Sequence, residues 1–291
     1  MQNYFLGVIE QAAKKKHSKF SPKEYYHINM FRPDLRILNK VKVWEGETGK
    51  PLEMSSELLR RLVRMVESKK PKQINSIRST KEFAEIEILT SALQKVSLSN
   101  LDGQERMLFF INVRNLLFLH TQISKKTPTN LLERKEQLQN SYIIEEHPYS
   151  IEYLEDVILR GTTEPSSTDP RRNNVSVFPT NILVFALCDC TVSSPKPFWF
   201  DSTDTYKDTL SQNISNFLQG EHGINESELQ SNNILQLPKL LKGVFENSEI
   251  VSKIKPYLSE KTRNLINQIE KAVVLDVTYR NSSFQSHFEY K

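Results

Sequence analysis

The segment from Glu105 to His120 constrains the fold most, because its sequence, ERMLFFINVRNLLFLH, is apolar on nearly every side of a helix. A helix of that kind must be surrounded by other elements rather than lie on the surface. We therefore predict that this helix is central to the fold. Its few polar side chains need partners, since a buried amide without a hydrogen bond costs about 1–3 kcal/mol.

Asn112, Asn115 and His120 are the candidate functional residues of this helix. At about 100° per residue, Asn112 lies between Asn115 on one side and His120 on the other, while Arg114 points roughly away. The structural interpretation is that each asparagine bonds the backbone of a neighbouring loop and that His120 is a core histidine with satisfied nitrogens. A direct chemical role is the alternative.

Periodicity and capping signals predict the other elements. We expect helices over Ser56–Ser68, from the capping-box sequence Ser79–Glu82 onward, over Ser150–Arg160 with Ser150 as N-cap, and over Tyr206–Leu218. We expect strands near Lys40–Trp44, over the apolar run Ile182–Cys188, and within Ala272–Tyr279, with loops around His147–Ser150 and over Gly161–Asn174. The predicted fold class is α+β, a mainly helical domain around a small β-sheet.

The charge is unevenly distributed along the chain. Residues 1–80 carry a net charge of +9 and the remainder carries −5. Residues 1–50 lack sustained apolar periodicity, so we expect an extended basic arm over 1–50 and a single α+β domain over 51–291.

The predicted arm is also the predicted partner-binding segment. Its basic cluster is followed by aromatic side chains. The surface of a partner protein would contact both the charged and the aromatic side chains. The residues are Lys14, Lys15, Lys16, Tyr25, Tyr26, Phe31 and Trp44. We expect the partner to be another protein. A nucleic acid or an acidic membrane surface is disfavoured, because no stacking platform or nucleic-acid signature accompanies the basic runs.

The cysteine content and the absence of long apolar runs predict a location. The chain has two cysteines, and its N-terminal sequence shows no apolar run long enough for a signal peptide. No segment is apolar over the length that a transmembrane helix requires. We therefore expect a cytoplasmic protein, with a nuclear location also open.

Both cysteines lie in the sequence Cys188-Asp189-Cys190, which allows three interpretations. It could be a thiol active site, part of a metal site, or the end of a buried strand. Zinc is disfavoured, because two thiolates need further ligands and the six histidines show no paired spacing. We therefore predict neither a metal nor a cofactor.

The order of several segments resembles the family of domain of unknown function 547 (DUF547), over roughly Met54 to Tyr279. The segments are Leu59–Glu67, Phe110–Asn115 with His120, Glu155–Arg160, Phe185–Leu187 with Ser193–Pro195, and Leu237–Leu240. In that family a cysteine at a strand end, with histidines and asparagines near it, resembles the arrangement of thiol hydrolases and transglutaminases. The resemblance implies family-site positions at Asn112, Asn115, His120, Glu155, Asp156, Asp189 and Ser193.

This chain departs from the family pattern at the two positions that matter most. Asp189 stands where the family has its cysteine, and Asp156 stands where it has its second histidine. The resemblance therefore implies a pseudoenzyme that works as a protein-interaction module or complex subunit, with no catalytic residues. The alternative is a thiol-dependent hydrolase or acyl transferase that uses Cys188 or Cys190 with His120, which would require a local turn that moves one thiol.

Overall fold

A computed structural model of the chain describes residues 36–40, 44–68, 74–125, 128, 130–175, 181–191, 193–246, 249–272 and 275–280. Its α-helices are α1 (Pro51–Glu67), α2 (Ile74–Ile77), α3 (Lys81–Thr90), α4 (Gly103–Ser124), α5 (Leu131–Gln137), α6 (Ile151–Tyr153), α7 (Tyr206–Leu218), α8 (Glu226–Asn232), α9 (Ile250–Ile254) and α10 (Glu260–Ala272). A π-helix, Leu154–Leu159, continues directly from α6. Short 3₁₀ helices cover Ser91–Lys95, Pro170–Asn174, Asn181–Phe185, Lys239–Leu241 and Lys255–Tyr257.

Two small sheets complete the described fold. The strands are β1 (Arg36–Ile37), β2 (Asn140–Ile144), β3 (His147–Ser150), β4 (Ile234–Leu237) and β5 (Asp276–Tyr279). In the first sheet β1 pairs parallel with β2, and β2 pairs antiparallel with β3. In the second sheet β4 and β5 are parallel. The fold is α+β and mainly helical, which confirms the predicted class.

Helix α4 is the centre of the larger hydrophobic core, as its sequence predicts. Every residue from Leu108 to Ile123 is buried, and the most extensive packing of α4 against another element is with α1. The helix begins two residues earlier than expected because Asp102 and Glu105 form a reciprocal capping box. Helix α1 also begins earlier than predicted, since Pro51 occupies its first turn, where proline is well tolerated.

A second, smaller core lies between α7, β4, α9 and α10. Its fully buried members include Ile214, Leu237, Ile254 and Ile266. Helix α7 has the bounds that the sequence predicts, Tyr206–Leu218.

The prediction of a buried strand over Ile182–Cys188 is wrong. Asn181–Phe185 is a 3₁₀ helix, followed by irregular backbone. The segment is nonetheless buried on both sides: Leu183 and Leu187 belong to the larger core, while Phe185 belongs to the smaller one. A short apolar run between two cores is compatible with either strand or helix, and periodicity cannot distinguish them.

The prediction of a loop around His147–Ser150 is also wrong, because these residues form β3. The hairpin that joins β2 to β3 turns through Glu145 and Glu146, which have φ of 47° and 68°. Tertiary contacts fix this turn: the two backbone N–H groups donate to the carbonyls of Leu93 and Gln94, each at 3.2 Å. Glutamate is not a residue that signals such a turn in a sequence.

Two capping predictions had different outcomes. Ser150 caps α6 as expected, since its hydroxyl accepts a hydrogen bond from the N–H of Tyr153 at 3.0 Å. The N-cap of α3 is Thr80 rather than Ser79, because the Thr80 hydroxyl accepts from the N–H of Phe83 at 3.2 Å. The N-cap therefore lies one residue later than the sequence predicts.

The predicted surface loop Gly161–Asn174 is anchored at its C-terminal end. Asp169, Arg171 and Asn174 are buried. Arg171 pairs with Asp169 at 2.7 Å and lies 3.7 Å from the ring centroid of Tyr153. Only the first part of the loop is therefore a surface feature.

Residues 36–40, which fall in the predicted arm, pack against the rest of the fold. The side chain of Asn39 is fully buried, where its amide donates to the carbonyl of Ile143 at 2.8 Å and accepts from the N–H of the same residue at 2.8 Å. The strand expected near Lys40–Trp44 lies earlier, at Arg36–Ile37, and residues 41–43 lie outside the described residues. No described helix has both the length and the apolar character needed to cross a membrane.

Candidate functional site

The side chain of Arg114 lies at the centre of the candidate site and is fully buried. Its Nε donates to Glu155 Oε1 at 2.7 Å, and its Nη1 donates to the backbone carbonyl of Cys188. The guanidinium also lies 4.6 Å from the ring centroid of Phe118. Burial lowers the pKa of Arg114, but Glu155 and Asp189 outweigh that effect and raise the pKa above its ordinary value. Arg114 is therefore a permanent buried cation.

Asp189 lies between two arginines. Its Oδ1 accepts from Arg114 Nη2 at 2.7 Å, and its Oδ2 accepts from Arg134 Nη2 at 2.5 Å. Although burial alone would raise the pKa of the Asp189 carboxyl, the two guanidinium groups lower it. Asp189 is thus a carboxylate anion with both oxygens engaged.

Glu155 and Asp156 lie side by side on the π-helix after α6. Glu155 bonds Arg114 and lies 3.9 Å from Arg160 Nη2. Burial and the neighbouring Glu155 charge raise the pKa of Asp156, whose backbone carbonyl accepts from the N–H of Thr162 at 2.9 Å. π-Helical turns are rare and occur frequently at functional sites. Glu155 and Asp156 therefore lie on backbone of unusual geometry.

The two thiols lie against each other inside the protein. Cys188 and Cys190 are each 1% exposed, and their sulfur atoms are 3.7 Å apart. Cys190 has a φ of 53°, and its N–H donates to Cys188 Sγ at 3.1 Å. Burial is the main cause that raises the pKa of Cys190 well above its usual range. A turn is present here, as a relocated nucleophile would require, but it places the thiols in the core.

Asn112 and Asn115 both brace backbone, as the structural interpretation predicts. Asn112 accepts from the N–H of Phe200 and donates to its carbonyl, both at 2.9 Å. Asn115 donates to the carbonyl of Ala186 at 2.8 Å and accepts from the N–H of Cys188 at 2.9 Å. Each asparagine side chain therefore bonds one backbone N–H and one carbonyl that would otherwise need a neighbouring strand.

His120 is a core histidine with a partner at each ring nitrogen. Its Nδ1 lies 2.8 Å from the Tyr142 hydroxyl, and its Nε2 lies 3.3 Å from Glu87 Oε1. The ring also packs edge-on against Phe83 at 5.3 Å. These partners come from α3 and β2, whereas the α4 side chains that bond the segment 188–190 are Arg114 and Asn115. The structure therefore does not bring His120 into hydrogen-bond contact with Cys188 or Cys190.

The loop after Cys190 is fixed by Ser194. Its hydroxyl accepts from the N–H of Asp189 at 3.1 Å and donates to the carbonyl of Thr191 at 3.0 Å. Ser193, the family-site position beside it, is half-buried and has interactions of its own. The loop thus holds the Asp189 backbone in place while the arginines hold its side chain.

Most of the predicted partner-binding residues lie outside the described part of the chain. These are Lys14, Lys15, Lys16, Tyr25, Tyr26 and Phe31. Trp44 is described and half-buried, and its indole N–H donates to the carbonyl of Glu47 at 3.3 Å.

The described residues contain no group of three or more histidine, cysteine, aspartate or glutamate side chains placed to hold a metal ion. What the site holds instead is a network of ion pairs. Glu155 and Asp189 together neutralise Arg114, and Arg134 and Arg160 extend the network toward solvent. Such a network orders the chain locally.

Arg134 is the site residue that sequence reasoning missed. It lies on α5 in the run Glu133-Arg-Lys-Glu136, which has the charge pattern of a solvent-exposed helix. No signal in that run distinguishes Arg134 from its neighbours. Only the packing of α5 beside Phe118, whose ring centroid is 5.5 Å from the Arg134 guanidinium, brings it to Asp189.

Comparison with known proteins gives a match for part of the chain. Residues 98–218 match the model of a family described as "Protein of unknown function, DUF547". Neither the curated proteins nor the solved structures provide a match. The matched residues contain α4, the π-helix, the segment 181–190 and α7, and hence every family-site residue discussed above. Over residues 98–218 the chain is therefore similar to the DUF547 family.

Proposed function

We propose that this protein is a protein-interaction module or complex subunit in which the family's site has become a structural ion-pair network. The observation that carries the proposal is the pairing of Asp189 with Arg114 and Arg134 at 2.7 and 2.5 Å. A carboxylate whose two oxygens are held by two guanidinium groups is a poor nucleophile. It is instead an effective fixed anchor for the loop and helices around it.

The burial of both cysteines supports the same proposal. A reactive cysteine is normally an accessible thiolate in an electropositive setting. Here the side chains of Cys188 and Cys190 are buried, and the pKa of Cys190 is raised by burial. His120, the base that the thiol alternative requires, is engaged by Tyr142 and Glu87.

We further propose that residues 1–35 supply the main contact with the partner protein. The support is compositional: this segment combines the basic cluster at Lys14–Lys16 with Tyr25, Tyr26 and Phe31. Aromatic residues are enriched at the centres of protein interfaces, while charged residues mainly set the association rate.

Affinity purification of the full-length chain, followed by mass spectrometry, tests the proposal. We expect a Tyr25→Ser/Tyr26→Ser/Phe31→Ser variant to lose the partner. A Lys14→Ala/Lys15→Ala/Lys16→Ala variant should keep it, with slower association and weaker salt dependence. A truncation should start no later than residue 36, because Asn39 is part of the folded body. Retention of full binding by the aromatic variant would move the interface to residues 36–291.

A thiol-directed active-site probe tests the loss of enzyme function on the same protein. We expect no rapid stoichiometric labelling of Cys188 or Cys190 in the folded chain. Rapid labelling at either cysteine, abolished by His120→Ala, would support a thiol-dependent hydrolase or acyl transferase instead.

A further inference from the structure

A cavity of about 520 Å³ lies beside the central helix, on a different set of residues from the ion-pair network. Its walls come from α4, from the segment 181–186 and from α7. The apolar lining includes Leu108, Ile111, Leu183, Ala186, Phe200 and Leu210. Both the volume and the mainly apolar lining are typical of sites for small organic ligands.

One charged side chain stands on this apolar wall. Among the described residues that line the cavity, Lys207 alone carries a charge. Its Nζ lies 5.9 Å from the ring centroid of Tyr206, and within the described part of the chain no carboxylate lies within 4.0 Å of it. Asp204 and Asp208 are close in sequence but are exposed and do not line the cavity. The cavity therefore has an apolar interior and one cation, the exposed Lys207, at its rim.

The start of α7 lies at the same place, with one acidic residue, Asp208, in its first turn. Tyr206 and Lys207 are the first two residues of α7 and both line the cavity. The N-cap residue Thr205 makes no side-chain capping hydrogen bond, and its hydroxyl instead lies 3.1 Å from the Ser202 hydroxyl. The N-terminal end of a helix favours an anion. Lys207 and the helix end thus act on the same side of the cavity.

We propose that this cavity binds a small amphiphile with an apolar chain and one carboxylate, of the kind found in free fatty acids. The chain would lie between α4 and α7, and the carboxylate would lie beside Lys207. A carboxylate at the rim would pair with the exposed ammonium of Lys207, whereas a strongly polar ligand would lose its hydration against Ile111, Phe200 and Leu210. This inference is independent of the proposed interaction function, because the cavity lining includes neither Asp189 nor the N-terminal arm.

Calorimetric titration of the full-length chain tests the ligand class with three probes of equal chain length. These are decanoate and decyltrimethylammonium, each kept below its micelle concentration, and 1-decanol, kept below its aqueous solubility. We expect saturable binding of one decanoate per chain, with weaker binding of decanol and the weakest binding of the cation. Lys207→Gln should weaken decanoate binding by about threefold to tenfold and leave decanol binding unchanged, since an exposed ion pair contributes modestly. Lys253→Gln, at an exposed lysine on α9, is the matched control and should have no effect.

A second variant tests the location. Ser211 is exposed but lines the cavity, so Ser211→Trp should fill it from the surface and weaken both decanoate and decanol by at least about tenfold. The proposal is overturned if decanoate does not saturate, if decanoate and decanol bind equally, or if neither variant changes binding. Co-sedimentation with anionic phospholipid vesicles that Lys207→Gln abolishes would assign the site to a membrane lipid and would likewise overturn the free-ligand assignment.

Discussion

Arg114 Nη2 donates a hydrogen bond to Asp189 Oδ1 at 2.7 Å, from a guanidinium that is completely buried to a carboxylate side chain that is 33% exposed. The two residues are 75 positions apart in the sequence. This asymmetry in burial determines how each member of the pair contributes to stability.

Removal of either Arg114 or Asp189 should destabilise the protein. The loss of unfolding free energy on removal of Arg114 should be reduced only if the site repacks. We expect Asp189→Asn to lower the free energy of unfolding by about 1–3 kcal/mol, because it leaves a buried cation with one carboxylate fewer. Arg114→Met should cost about 3–5 kcal/mol, since it removes the close partner of Glu155 and of the Cys188 carbonyl and leaves Asp189 with Arg134 alone. Urea unfolding provides the measurement. Arg172→Met is the control: its pair with Glu164 is exposed at 46% and 78%, so the cost should stay below about 1 kcal/mol.

The Asp189 pair should also give stability a specific pH dependence. Because Arg114 and Arg134 lower the pKa of Asp189 in the folded state, its contribution is fully present above the unfolded pKa of about 3.9. The contribution is lost as the pH falls below that value toward the lower folded pKa. Wild type and Asp189→Asn should therefore differ most in unfolding free energy near neutral pH and converge in acid. Curves that stay parallel down to pH about 2 would contradict the ionised pair.

Cys190 should react slowly with iodoacetamide in the folded protein. Burial raises its pKa and restricts access, and the thiolate is the reactive form. We expect alkylation to accelerate strongly when the chain is unfolded in urea, with the Cys190→Ser variant identifying the contribution of each cysteine. A folded-state apparent pKa below about 7, against about 8.5 for free cysteine, would restore the enzyme interpretation.

Asn112→Ala should lower the free energy of unfolding by about 1–3 kcal/mol. The change leaves the buried N–H and carbonyl of Phe200 without the amide that satisfies both. Thermal or urea unfolding is the measurement, and Asn232→Ala, at an exposed position on α8, is the control. An unchanged midpoint in the Asn112 variant would mean that water or another group satisfies Phe200 at no cost.

The sequence determined several features because their signals are local. The all-round apolar pattern of Glu105–His120 predicted a central helix, and it favoured the interpretation that Asn112 and Asn115 bond neighbouring backbone. The bounds of α7 and the N-cap role of Ser150 also followed from short-range periodicity and capping. The substitution of Asp189 and Asp156 for the residues that the DUF547 resemblance implies is likewise visible in the sequence alone.

The tertiary structure decided the features whose hydrogen-bond and charge partners are distant in the chain. Segment 182–188 is not a strand, and side chains from α4 and α7 bond the backbone of Phe185, Ala186 and Cys188. The turn at Glu145 and Glu146 is held by the carbonyls of Leu93 and Gln94 rather than by turn-forming residues. Arg134 belongs to the site only because α5 packs beside Phe118. Each of these outcomes depends on which groups are brought together after folding, and neither propensity nor spacing along the chain records that information.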